Sequence, residues 1–218
     1  MRDIEIHQVI RVLRREVPKW DTPIVTLMAE SRHSPFHILI SCILSLRTQD
    51  GTTAQASRRL FDIADTPKKM LAHSVKKIEK AIFPVGFYRV KAQNIREICQ
   101  TLNENYSGKV PDDIDELLKL KGVGRKTANL VVTLAYGKPG ICVDTHVHRI
   151  SNRLGYVRTK NPEETEFALR GKLPRPYWIG YNDLLVSFGQ HLCRPISPLC
   201  SRCPVEEHCD QMGVKNHR

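Results

Sequence analysis

Residues 117–137 read LLKLKGVGRKTANLVVTLAYG. A helix end, a tight Gly-Val-Gly turn at 122–124 and a second helix with Ala128, Val131, Val132 and Ala135 on one face together spell a helix-hairpin-helix. Gly122 and Gly124 free the backbone to turn and to approach a phosphate, and the first amides of the second helix would face that phosphate with the positive end of the helix dipole. Val123, Arg125 and Thr127 sit in the same turn and would share the contact. Such a contact holds nucleic acid without reading its sequence. A Gly-x-Gly alone also serves as a plain helix connection, so charge has to decide. From Leu118 to Lys160 there are nine basic residues, Lys119, Lys121, Arg125, Lys126, Lys138, Arg149, Arg153, Arg158 and Lys160, against one acid, Asp144. A solvated face normally mixes signs, and this imbalance points to a phosphate-binding face.

The rest of the chain carries the same helical period. Ile6, Val9, Ile10, Leu13 and Val17, then Ala92, Ile95, Cys99, Leu102 and Tyr106, then Tyr177, Tyr181, Leu184, Leu185 and Phe188 recur at helical spacing, while alternating strand patterns are scarce. Gly108, Gly137 and Gly155 each follow a periodic run, and Ser34-Pro35 reads as an N-cap with proline at the first helical position. The Ile- and Leu-rich run from Phe36 to Leu46 also suits a buried strand, but its neighbours favour a helix. About ten short helices and an all-α fold are expected. At 218 residues and roughly 150 residues per domain, the chain makes one large domain or two small ones. Its net charge of +11 makes an anionic partner the natural expectation. The longest apolar stretch is broken by His37, Ser41 and Ser45 and falls short of the roughly 20 residues a bilayer requires. Residues 1–17 are too charged for a signal core, so a cytoplasmic, monomeric protein with reduced thiols is expected.

Two further segments carry chemistry. The tail holds Cys193-x6-Cys200-x2-Cys203-x5-Cys209, four thiols whose crowding in a reducing compartment asks for a metal. Tetrahedral zinc and an iron-sulfur cluster both take four thiolates; a single Cys-x2-Cys knuckle with longer outer arms suits the larger cubane. Cys42, Cys99 and Cys142 lie on apolar stretches and read as buried small hydrophobes. The lone acid of the basic segment stands in Val143-Asp144-Thr145-His146-Val147-His148, at the start of a helical run. Aspartate is a favoured N-cap, yet a carboxylate in a cationic groove repels DNA unless chemistry requires it. His146 and His148 point to different helix faces and make a poor metal pair.

These three segments, Leu120 to Ala128, Val143 to His146 and the cysteine tail, occur in an order that resembles the endonuclease III branch of the helix-hairpin-helix DNA glycosylases. The resemblance implies a two-lobed, all-helical fold: a six-helix lobe over residues 28–138, and a lobe of residues 1–27 and 139–218 around a [4Fe-4S] cluster held by Cys193, Cys200, Cys203 and Cys209 in the loop 193–209. It implies Lys126 as nucleophile and Asp144 as catalytic aspartate, acting on double-stranded DNA with damaged pyrimidines or abasic sites lying across the cleft between the lobes. Thr145 and His146 would join the DNA contacts.

The chemistry can be reasoned independently of that likeness. A base in a duplex must be flipped out before it can be cut, which calls for phosphate anchors and a side chain to fill the gap. The hairpin would supply the first and the Val85-Gly86-Phe87 loop the second; the resemblance adds Arg47, which stands where familiar bacterial members place the glutamine that fills the space left by the flipped base. An amine attacking C1′ must be neutral, a form that nearby cations favour. A mismatch-specific glycosylase of the same superfamily and a DNA-binding iron-sulfur protein without catalysis are the alternatives. The thymine-mismatch branch typically has tyrosine at the position of Lys126, and the adenine-mismatch branch generally lacks the lysine.

Overall fold

A computed structural model describes residues 3–16 and 34–218. Among them are eleven α-helices, three short 3-10 turns and no strand. The chain divides into two compact units, Ile24–Lys138 and a discontinuous one made of Met1–Pro23 with Pro139–Arg218. Val17 and the expected boundary at 27/28 lie outside the described residues.

The run that could have been a strand is helix α2 (Pro35–Ser45), with α1 (Asp3–Glu16) before it. The Ser34 hydroxyl accepts from the His37 amide at 3.3 Å, and Pro35 occupies the first turn where no amide partner is needed. Eight of the eleven α2 residues are buried, so it is apolar all round because it is the central helix of its unit. It packs against α3 (Asp50–Ile63) and α8 (Arg125–Tyr136). Helices α4 (Pro67–Leu71) and α5 (Val75–Ile82) lean on the long α6 (Tyr88–Tyr106), and α7 (Ile114–Leu118) packs on α8. The expected face of α6, with Ala92, Ile95, Cys99 and Leu102, is fully buried with Ile40, Ile43, Val131 and Val132.

The other unit is built on α9 (Thr145–Arg153), α10 (Pro162–Lys172) and α11 (Trp178–His191). The α1 stripe Ile6, Val9, Ile10 and Leu13 joins Val147, Ile150, Tyr181, Leu185 and Phe188 in its core. Two polar groups inside that core are paired: the Tyr181 hydroxyl meets Ser151 Oγ at 3.2 Å, and the Trp178 indole donates to the Leu173 carbonyl at 2.7 Å. No helix among the described residues is long and apolar enough to cross a membrane.

Candidate active site

The hairpin is formed as its residues dictate. The Asp113 carboxylate caps α7, accepting from the Asp115 and Glu116 amides at 2.9 and 3.2 Å. The chain then reverses through Gly122 at φ +74°, a left-handed conformation that disfavours side chains. Gly124 caps α8 with φ −98°, and a Cβ there would meet no atom within 4 Å. Open space in front of the first helical amides is what a phosphate would need. Lys126 is the second residue of α8 and exposed, as is Lys121; Arg125 is half-buried, and the first turn holds no acid. Val123 and Thr127 are 7 % and 2 % exposed. Their side chains belong to the core, leaving only their backbone to meet a ligand.

The nine basic residues are not one free face. Lys119 pairs with Glu116 at 2.6 Å and Lys138 with Asp112 at 2.8 Å, acids that precede Leu118 in the chain. Arg149 and Arg153 turn inward to backbone carbonyls of the cysteine loop. Lys121, Lys126, Arg158 and Lys160 remain exposed, the first two on the hairpin.

In the same unit, two loops present the expected gap-filling residues. Arg47 and Phe87 both adopt left-handed backbone, φ +52° and +59°, at a cost of about 1–3 kcal/mol each. Both are exposed, Phe87 at 62 %, and the Arg47 guanidinium lies 5.6 Å from the centre of the Phe87 ring. Gly86 lets the loops touch, because a Cβ there would stand 2.6 Å from the Arg47 carbonyl oxygen. Val85, by contrast, is buried at 1 % and anchors its loop in the core instead of facing outward. Beneath the pair lies a residue that the sequence reading missed. The Lys91 ammonium, on the buried face of α6, donates to the Leu44 carbonyl at 2.8 Å, to the Leu46 carbonyl and to Thr48 Oγ1 at 3.2 Å. Burial pushes its pKa down to about 8. The available signal was a lysine four residues before Ile95 on an otherwise apolar stripe.

In the other unit, Asp144 is the N-cap of α9: one oxygen, Oδ1, accepts from both the His146 and Val147 amides at 2.8 and 2.9 Å. Oδ2 takes no part in the cap. Thr145, the first helical residue, is exposed. His146 packs toward α11, where a Cβ on Gly189 would lie 2.3 Å from its Nδ1, and that nitrogen meets Arg149 at 3.1 Å. His148 instead meets Thr165 Oγ1 at 2.7 Å, so the two histidines diverge.

Cys193, Cys200, Cys203 and Cys209 line one largely apolar cavity with Ile150, Leu154 and Phe188. None of the four is in a disulfide. Burial pushes Cys203 up to about 12 and raises Cys200 and Cys209, so metal loading there must displace protons. Arg153 crosses the loop, donating to Cys193 Sγ at 3.5 Å and to the Arg194 and Pro195 carbonyls at 2.6 and 2.7 Å. Among the described residues, no three His, Cys, Asp or Glu side chains converge tightly enough for a single metal ion. Cys42 and Cys99 are buried, each held up at about 12, and Cys142 is buried as well.

Residues 40–175 match the family model described as HhH-GPD superfamily base excision DNA repair protein. The chain is similar to endonuclease III of Thermotoga maritima, 49 % identical over 176 residues, 81 % of this chain and 83 % of that one. It is similar to endonuclease III of Bacillus subtilis, 40 % identical over 177 residues, covering 81 % of each. A solved structure of a trapped endonuclease III-DNA covalent intermediate superimposes with a TM-score of 0.86 at 36 % identity, covering 97 % of both chains.

Proposed function

The chain belongs to the HhH-GPD superfamily of base excision DNA repair proteins, in its endonuclease III branch, and we propose that Lys126 and Asp144 carry its two reactions. It is a bifunctional DNA glycosylase and lyase of base excision repair, acting on oxidised pyrimidines in duplex DNA. The observation that carries the assignment is the place of Lys126: an exposed amine in the first turn of α8, directly after a glycine turn open to a phosphate, with no acid in that turn.

The neutral amine attacks C1′ of the flipped nucleotide, and the base leaves with a proton. The C1′–O4′ bond of the resulting aminal then opens, O4′ taking a proton, to leave an imine that acidifies C2′; loss of a C2′ proton expels the 3′ phosphate, and water releases the lysine. Asp144 Oδ2 is available to take the ammonium proton and to stabilise positive charge on the sugar while Oδ1 keeps its place at the helix. Arg47 and Phe87 fill the space left by the flipped nucleotide.

The four cysteines fit a [4Fe-4S] cluster. They line one cavity with apolar walls, and soft sulfur at four corners is the ligand set of that cluster. When bound, the cluster would be held by Cys193, Cys200, Cys203 and Cys209 and would tie the 193–209 loop together.

Borohydride trapping tests the nucleophile. The wild-type protein should give a covalent adduct with lesion-containing duplex and none with intact duplex. Lys126→Gln should lose the adduct while still binding lesion DNA at saturation. An adduct formed by the Gln variant at saturating DNA would assign the chemistry to another amine, such as Lys121.

A further inference from the structure

We propose that Lys91 is the positioning residue of the wedge, a buried clasp that holds the 44–48 and 85–88 loops together so that Arg47 and Phe87 stand stacked and enter DNA as one unit. The inference rests on the reading of Arg47 and Phe87 as the residues that meet DNA at the flipped nucleotide, and it adds what sets their geometry. The ammonium has three N–H donors and three oxygens within reach, and all three oxygens come from the segment that carries Arg47: the carbonyls of Leu44 and Leu46 and the Thr48 hydroxyl. Thr48 Oγ1 in turn accepts from the Gly86 amide at 3.2 Å, so the same oxygen ties the second loop. One lysine therefore bridges both loops: one hydrogen bond reaches Leu46, the neighbour of Arg47, and two in series reach Gly86, the neighbour of Phe87.

The position costs too much for a filler. Lys91 is 6 % exposed and no carboxylate among the described residues neutralises it, so its charge is desolvated without an ion pair. A leucine or methionine would fill the same volume more cheaply. What only a cation with three donors can do is gather carbonyls at the C-terminal end of α2, where the helix dipole welcomes positive charge, and turn the chain at once into the left-handed residue Arg47. Strained backbone persists where the surroundings over-determine it, and here the opposite loop repeats the strain at Phe87. Gly86 admits the close approach of the two backbones, and Lys91 fixes it.

A plain helix cap and a wedge clasp predict different readouts. The full-length, metal-loaded protein is titrated with a duplex containing a tetrahydrofuran abasic analogue and with the intact duplex, and the ratio of the two affinities is the measure of wedge insertion. Fluorescence of 2-aminopurine opposite the analogue reports the filled gap. Lys91→Met should lower the ratio by about tenfold and weaken the fluorescence change. Affinity for intact duplex and its salt dependence should stay within about twofold, because a buried charge touches no phosphate. Thr48→Val, which removes the shared oxygen with little change of volume, should move the ratio in the same direction and decides the matter if Lys91→Met does not fold. In the Arg47→Ala, Phe87→Ala background, Lys91→Met should produce no further loss. A ratio unchanged in Thr48→Val and Lys91→Met while the wedge variant loses it overturns the clasp; so does an equal further loss in the wedge background. A wedge variant that keeps the full ratio overturns instead the assignment of Arg47 and Phe87 to the DNA.

Discussion

The two hairpin glycines stand two residues apart, and the structure gives them different work, which separates folding from DNA binding in a single experiment. Gly122 has φ +74°, and an added Cβ would lie 2.6 Å from Asn94 Nδ2. Alanine there meets a left-handed penalty of about 1–2 kcal/mol. It regains about 0.4–1 kcal/mol from a stiffer unfolded chain, and it makes the Asn94 carboxamide swing aside at a cost of about 1 kcal/mol. The net loss is about 1–2.6 kcal/mol, or a melting temperature lower by roughly 2–10 °C. Gly124 has φ −98° and open space around its missing Cβ. Alanine there is a poorer N-cap than glycine, which the stiffer unfolded chain offsets, so stability should stay within about 0.5 kcal/mol. Its methyl would stand in front of the helix amides, where a phosphate must come, and losing one or two such hydrogen bonds weakens duplex binding about tenfold. No cation is removed, so the slope of log affinity against log salt should hold, whereas Lys121→Ala should reduce it by about 0.9. Thermal melts and binding titrations at three salt concentrations read both quantities. If Gly124→Ala binds duplex as the wild type does, the hairpin is a helix connection and not a phosphate anchor; if both variants melt alike, the strain assigned to Gly122 is wrong.

Three other outcomes follow from the geometry. Asp144→Asn keeps an acceptor for the His146 and Val147 amides but no charge, so it should melt like the wild type, bind lesion DNA as well or better, and lose about 10²–10⁴-fold in single-turnover base removal; near-normal turnover would reduce Asp144 to a cap. Metal and sulfide analysis of anaerobically prepared protein should give about four irons per chain, and Cys203→Ala should unfold the 193–209 loop before it affects chemistry, while stoichiometric zinc without sulfide would refute the cluster. Lys91 is held at about 8 in the folded protein against 10.5 when unfolded, so unfolding takes up a proton between those values. Its destabilising contribution is full below pH 8 and is relieved as pH rises toward 10.5, so wild type should gain on Lys91→Met by up to about 1.4 kcal/mol per pH unit in that window, read from paired denaturation curves; a flat difference would show that burial does not set this group's charge.

What the sequence made legible was local. The caps at Ser34 and Asp144, the turn at Gly122 and the apolar stripes of α1, α6 and α11 depend on residues within one or two turns of each other, and each stands where the local sequence put it. The core-facing side of Thr127 was within reach too, since it lies four residues before Val131. Charge was less legible, because Lys119 and Lys138 find acids that a count over residues 118–160 leaves out, and Arg149 and Arg153 find carbonyls about forty residues away. Lys91 was hidden for the same reason: its three oxygens come from residues 43 to 47 positions earlier, brought to it only by the packing of α6 on α2. At Asp144 the sequence posed a choice, helix cap or catalytic acid; the geometry shows the cap and leaves one oxygen outside it for the proposed chemistry. Two amides converge on Oδ1, which fixes the rotamer and leaves Oδ2 in a set direction at the start of a rigid helix. The cap is thus what aims the carboxylate. Aspartate at this site then serves where glutamate cannot, because the longer side chain would give up the two short bonds that do the aiming.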